Sequence, residues 1–278
     1  MALTEKTHLQ QVLQSLHCQP KRSLSQNFLV DANILKQILD VAQVQSEEWI
    51  VEIGPGVGVL TQALLEKNAR VIAIEKDQVF ASYLRSTLSQ TKHLEVFSQD
   101  FLSFPLTEIL SQRLKKGEKA KAVANLPYHI TAPIFSHLMT AASFFSSLTL
   151  MVQEEVAERI LAKPKQASYG FFTLFLRHFT HATYGFHVPA HCFYPQPKVS
   201  SAVVHLEITN SLPNEPFLLF MKTAFQQRRK LLTSSLQKLY PKEAIRTAFH
   251  ELSLPETLRP EECDYSLFLQ IFQKLKKP

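Results

Sequence analysis

The 278-residue chain is poor in the residues that staple a fold or span a membrane. Its three cysteines, Cys18, Cys192 and Cys263, are odd in number, far apart and without CxxC spacing. That excludes a disulfide framework and a cysteine zinc site. His187, His191 and His205 lack metal-ligand spacing too, and no metal is expected. No apolar stretch approaches the roughly 20 residues of a membrane span, and the opening MALTEKTHLQQVLQ has no apolar signal core. A soluble protein of a reducing cytoplasm is the expectation. Glycine is scarce, six in all, with three of them inside residues 54–58, and there is no internal repeat or low-complexity tract.

What is present is ordinary globular material. At 45% hydrophobic residues the chain can bury one substantial core and a smaller satellite, which predicts one large domain with a modest appendage. Thirty basic against twenty-four acidic residues give a net charge of +6, a balance that favours a polyanionic partner through counterion release.

Short β-rich runs alternate with amphipathic stretches: WIVEI at 49–53, RVIAIE at 70–75, LEVFSQ at 94–99, KAVANL at 121–126 and SLTLMVQ at 147–153. This is the grammar of an α/β protein with a mainly parallel, doubly wound sheet. Two later runs, ATYGFHV and VSSAVVHLEI, suit an antiparallel edge and bring the expected strands to seven. The proline-bearing segment TNSLPNEP at 209–216 reads as a linker, and beyond it only helical spacing remains. The expected division is a catalytic domain over 1–209 and a small all-α domain over 210–278.

WIVEI runs directly into Gly54-Pro55-Gly56-Val57-Gly58 and then a helix, where backbone amides can approach a nucleotide-like ligand. A purely structural turn is the alternative. A dinucleotide loop of the GxGxxG kind would need glycine at position 59, which is Val59, so the spacing favours a methyl donor over NAD. Glu75 closes the second strand, where a carboxylate can accept both hydroxyl protons of a ribose; the alternative is a surface acid. Asp100 follows the third strand and can accept from an adenine amine beside Phe101, or act as a helix cap.

The fourth strand ends in Asn125-Leu126-Pro127-Tyr128. An exocyclic adenine nitrogen is a poor nucleophile because its lone pair is delocalised into the ring. The Asn125 carbonyl and a nearby backbone carbonyl can hold its two hydrogens out of plane and favour the geometry of attack. Pro127 stiffens the loop, and Tyr128 offers a ring on which an extruded base can stack. An ordinary loop with a core-facing tyrosine is the competing reading. No catalytic histidine is required, and His129 reads as a solvated loop residue.

These motifs, taken together, resemble the ribosomal RNA adenine N6,N6-dimethyltransferases of the KsgA type. The similarity begins at KRSLSQNFL and runs through VEIGPGVGVLT, VIAIEKD, SQDFL, NLPY, MVQEEVAERILA, FYPQPKVSSAVV and AFQQRRKLL. The resemblance implies a class I, Rossmann-like methyltransferase fold with a helical C-terminal domain, and S-adenosylmethionine as cofactor. It implies cofactor contacts from Asn27, Leu29, Gly54, Gly56, Glu75, Asp100, Phe101 and Asn125. It also implies that Phe193 sandwiches the target base against Tyr128, where a core aromatic beside prolines is the plain alternative. Ser25 and His129 depart from the family's usual Gly and Asn.

The implied substrate is small-subunit rRNA, within an assembling subunit, with two adjacent adenines near the 3′ end each receiving two methyl groups from a monomeric enzyme. A large-subunit adenine methylase and an assembly factor with a vestigial site are the alternatives. Phosphate contacts are expected from Lys21 and Arg22 and from Arg228, Arg229 and Lys230, placed on a helix, where a solvated face is the bland reading.

Overall fold

Strands β2 (Trp49–Ile53), β3 (Arg70–Glu75), β4 (Leu94–Ser98), β5 (Ala120–Asn125), β6 (Phe145–Gln153), β7 (Thr180–Val188) and β9 (Ser201–Ile208) form one seven-stranded sheet in the order β4-β3-β2-β5-β6-β9-β7. The computed structural model describes residues 3–20, 26–88, 90–228 and 230–276. The first five strands of that order pair in parallel and β9 runs antiparallel to β6. Strands β2 and β3 are almost entirely buried and, apart from Glu52 and the end residues Arg70 and Glu75, apolar on both faces, the pattern of a parallel sheet covered by helices on either side. The coverings include α2 (Ala32–Ala42), α3 (Val59–Glu66), α4 (Gln78–Thr87), α5 (Leu106–Arg113) and α6 (Thr131–Thr140). The helix α4 starts at Gln78 because the Asp77 carboxylate accepts from Val79 N and caps it.

The chain order reverses between β2 and β5. Such a switch point leaves a crevice beyond the C-terminal strand ends. Residues Gly54, Glu75, Asp100 and Asn125 all stand there.

Two features escaped the hydrophobic pattern. The helix α1 (Lys6–Ser15) buries Leu9, Val12 and Leu13 in a cluster with Phe28, Val57 and Phe80. A two-residue strand β1 (Phe28–Leu29) pairs antiparallel with β8 (Phe193–Tyr194), setting Phe28 opposite Tyr194 and Leu29 opposite Phe193. Strands this short carry no readable alternation.

The chain divides into two compact units, residues 1–157 with 181–209 and residues 158–180 with 210–278. The division expected from sequence, 1–209 against 210–278, differs in residues 158–180, which belong to the helical unit. Their side chains explain it. In α8 (Phe171–Phe179), His178 Nδ1 lies 2.9 Å from the Tyr265 hydroxyl on α12 (Tyr265–Leu275), and the buried Tyr169 hydroxyl donates to Cys263 O at 2.7 Å. The apolar run after residue 216 is two helices, α9 (Glu215–Phe225) and α10 (Leu232–Leu236), followed by α11 (Lys242–Glu251).

Candidate functional site

A cavity of about 270 Å³ opens at the switch point. Its wall includes Asn27 and Leu29, the glycine loop, Glu75, Asp100 and Phe101, and the segment from Asn125 to Ile130. The sequence-predicted cofactor residues therefore converge on one space.

The loop after β2 is shaped by backbone conformation. Gly54 sits at φ +64°, and a Cβ built there would meet nothing within 4 Å, so a side chain would project into open space rather than into protein. Gly56, at φ +59°, has no such room: its Cβ would come within 2.8 Å of the Phe28 ring. Both positions require glycine, one to keep a cradle open and the other to let β1 close over the loop. The open cradle, loop amides and flanking carboxylates suit a nucleoside with hydroxyl and amine donors.

Glu75 is 6% exposed, and its two oxygens receive backbone donors: Gly56 N donates to Oε2 at 2.8 Å and Asp77 N to Oε1 at 2.7 Å. Burial pushes its carboxyl above the ordinary range, against the lowering effect of those amides. The residue thus anchors the glycine loop besides lining the cavity, a duty its place at a strand end does not reveal. Asp100 Oδ1 accepts from Leu102 N at 3.0 Å and Oδ2 accepts from Lys76 Nζ at 2.7 Å. The Lys76 bond, followed by that amide, holds its carboxyl below the usual range. Asp100 caps the turn that follows β4 and also lines the cavity.

Glu52, not singled out from the sequence, also lines the cavity from β2 at 1% exposure. The Thr61 hydroxyl donates to its Oε2 at 2.6 Å, yet burial dominates and its carboxyl is pushed up to about 8. An alternating polar residue in an apolar strand, WIVEI, was the available signal.

At the end of β5, Asn125 Nδ2 donates to Asn27 O at 3.0 Å. That contact fixes which end of the amide is the donor and leaves Oδ1 as an acceptor at the cavity wall. Pro127 and Tyr128 follow on the same wall, and the Tyr128 hydroxyl lies 2.7 Å from the buried Ser201 hydroxyl. Burial raises the Tyr128 phenol. The Thr131 hydroxyl donates to Tyr128 O at 3.1 Å and steadies the turn.

Phe193, expected opposite Tyr128, stands elsewhere. It is 3% exposed, packs in a core cluster with Leu29, Met151 and Val203, and is not part of the cavity wall. Its pairing with Leu29 turns the ring into that core, and its contribution is to hold β1 against the site.

The basic run is also relocated. The helix α9 ends at Phe225, and Arg228 lies in the turn that follows. Its Nε donates to Glu261 Oε2 at 2.8 Å, Nη2 to Gln166 O at 2.9 Å and Nη1 to Ala167 O. Those contacts end the helix and occupy the guanidinium, so Arg228 is a tie within the helical unit. Lys230 N donates to Gln227 O in the same turn. Lys21, Arg22 and Arg229 lie outside the described residues.

A mainly parallel sheet with a glycine cradle after one strand, acids after the next two and an Asn-Leu-Pro-Tyr loop after the fourth defines a Rossmann-like methyltransferase. Comparison with known proteins narrows the class. The family described as ribosomal RNA adenine dimethylase matches residues 18–277, and the chain belongs to that family. It is 43% identical to the ribosomal RNA small subunit methyltransferase A of Protochlamydia amoebophila, over 99% of this chain and 98% of that one. The protein of the same name from Chlamydia abortus is 41% identical over the full length of both. Among solved structures, a dimethyladenosine transferase from Plasmodium falciparum superimposes with a TM-score of 0.75 at 26% identity, over 88% of this chain and 95% of that one.

Proposed function

We propose that the protein transfers methyl groups from S-adenosylmethionine to N6 of adenines in small-subunit ribosomal RNA. The observation that carries the chemistry is the Asn125 amide, held by Asn27 O so that Oδ1 is the acceptor at the cavity wall. Oδ1 and a main-chain carbonyl of the same loop take the two N6 hydrogens and draw the nitrogen toward a tetrahedral shape, a contact that strengthens as the transition state forms. Tyr128, braced by Ser201, supplies the face on which the extruded base stacks.

The cofactor supplies an electrophilic methyl group on a sulfonium. On this reading the Gly54 cradle admits its nucleoside, the outward lone pairs of Glu75 accept the ribose hydroxyls, and Asp100 with Phe101 flanks the adenine. The proton released on transfer passes to water, so no side-chain base is required.

The finer reading is that two adjacent adenines near the 3′ end are each methylated twice, by a monomer acting in the cytoplasm on an assembling subunit. No helix among the described residues is long and apolar enough to cross a membrane. The test is incubation with radiolabelled S-adenosylmethionine and unmethylated small subunits, then digestion of the RNA. Label in N6,N6-dimethyladenosine is expected. Absence of label, with subunit binding and cofactor affinity intact, overturns the reading in favour of an assembly factor.

A further inference from the structure

Two exposed rings near the catalytic loop share one carboxylate. Glu154 follows directly on β6; its Oε1 accepts from the Tyr184 hydroxyl at 3.0 Å, and its Oε2 lies 2.9 Å from His187 Nδ1. Tyr184 is 46% exposed and the His187 side chain 52% exposed. Both belong to β7, one of the two edge strands of the sheet. The polar tips of these side chains are tied down while much of each ring remains open to solvent.

The cluster adjoins the proposed base-binding loop through the sheet. Gln153 pairs with Ser201, Glu154 N donates to Ser200 O at 3.1 Å, and Ser201 braces Tyr128. In the neighbouring strand, Thr183 Oγ1 donates to His205 O at 3.4 Å, and a Cβ on Gly185 would meet Val203 O at 2.9 Å. That succession sets β7 antiparallel to β9 and brings its His187 end toward Ser201. His187 therefore falls opposite Ser201, the serine that holds Tyr128, at an interstrand spacing of about 5 Å, while Tyr184 falls opposite Val204, roughly 10 Å further along the strand, and reaches back to the site through its bond to Glu154.

We propose that Tyr184 and His187, held by Glu154, form a stacking subsite for an unpaired nucleobase of the substrate RNA next to the target adenine. The inference rests on the function proposed above. Extruding the target base leaves its neighbours without a stacking partner, and a protein ring face replaces that partner. Rings already fixed by hydrogen bonds lose less freedom when the base arrives. The Glu154 carboxylate disfavours a phosphate at this spot and offers further lone pairs to the N–H edge of a base, which selects base over backbone.

The test measures methyl transfer to unmethylated small ribosomal subunits by the full-length protein and its Tyr184→Ala, Tyr184→Phe and His187→Ala variants. Tyr184→Ala is expected to raise KM for the subunit about tenfold, more than it lowers kcat, and Tyr184→Phe, which keeps the ring, to restore most of that loss. Unchanged melting and unchanged affinity for S-adenosylhomocysteine verify the fold of each variant. A benzophenone-bearing phenylalanine in place of Tyr184, irradiated on the subunit, is expected to crosslink to a nucleotide beside the methylated adenine. Unchanged KM in both alanine variants, or crosslinks to ribosomal protein alone, overturn the subsite. A wild-type protein that transfers no methyl group overturns the underlying function instead.

Discussion

Asn27 O accepts a hydrogen bond from Asn125 Nδ2 at 3.0 Å, joining the segment ahead of β1 to the end of β5 across 98 residues of chain. The bond selects the amide orientation on which the proposed chemistry depends. Asn125→Ala is expected to fold normally and to lower the methyl-transfer rate on the order of a hundredfold or more, the effect of losing one transition-state hydrogen bond. Single-turnover kinetics check this, and near-normal turnover would remove Asn125 from the mechanism.

Glu75 serves two masters, the loop amides and the cavity. In Glu75→Gln one oxygen is replaced by an NH2 that faces a backbone N–H, so the loop loses an anchor while the ligand loses a charged acceptor. Cofactor affinity measured by calorimetry should fall by roughly 1.5 to 3 kcal/mol, the value of a hydrogen bond to a charged group. Equal affinity in the variant would show that neither role matters for binding.

The parts of the site that were legible in the sequence are those set by local chain geometry. The strands WIVEI and RVIAIE begin and end where the pattern places them, because a buried parallel strand is a continuous apolar run that the glycine loop and the acidic strand end then terminate. The β1–β8 pair was invisible, since two residues carry no period. Phe193 looked like a site residue by resemblance, and its pairing with Leu29 sends it to the core. The Gln226–Lys230 run has good helix formers, yet tertiary contacts of Arg228 stop α9 first. Residues 158–180 gave no linker signal on either side, so their membership in the helical unit follows only from their packing.

Glu52 predicts a pH dependence of stability. Its carboxyl ionises near 4.5 when unfolded and near 8 when buried beneath the loop. Between those values the folded state binds the extra proton, so this group's contribution weakens as pH rises from 4.5 toward 8 and is lowest above 8. Glu52→Gln keeps an acceptor for Thr61 and removes the titration. The variant should melt above the wild type at about pH 8.5 and close to it at about pH 5. Parallel melting profiles across that range would place the ionisation elsewhere.

Ser201 braces Tyr128 from a buried position, hydroxyl to hydroxyl at 2.7 Å. In Ser201→Ala the phenol keeps its ring but loses that partner, a net loss of about 1 kcal/mol in stability. Because the ring is then less firmly placed, KM for the subunit should rise while affinity for S-adenosylhomocysteine stays constant. A change in cofactor affinity without a change in KM would contradict a role confined to the base-binding face.

Arg228 separates a structural from an electrostatic role. Its guanidinium binds Glu261 and the Gln166 and Ala167 carbonyls, all within the helical unit. Arg228→Ala removes these bonds at once and leaves the partly buried Glu261 without its cation, so a loss of roughly 1.5 to 3 kcal/mol in unfolding free energy is expected. A residue that instead neutralised a phosphate would leave stability alone and flatten the dependence of subunit binding on salt by about one counterion. Denaturant unfolding together with a salt titration of binding decides between them: lowered stability with an unchanged salt slope is expected, and the opposite pair of results would return Arg228 to the RNA interface.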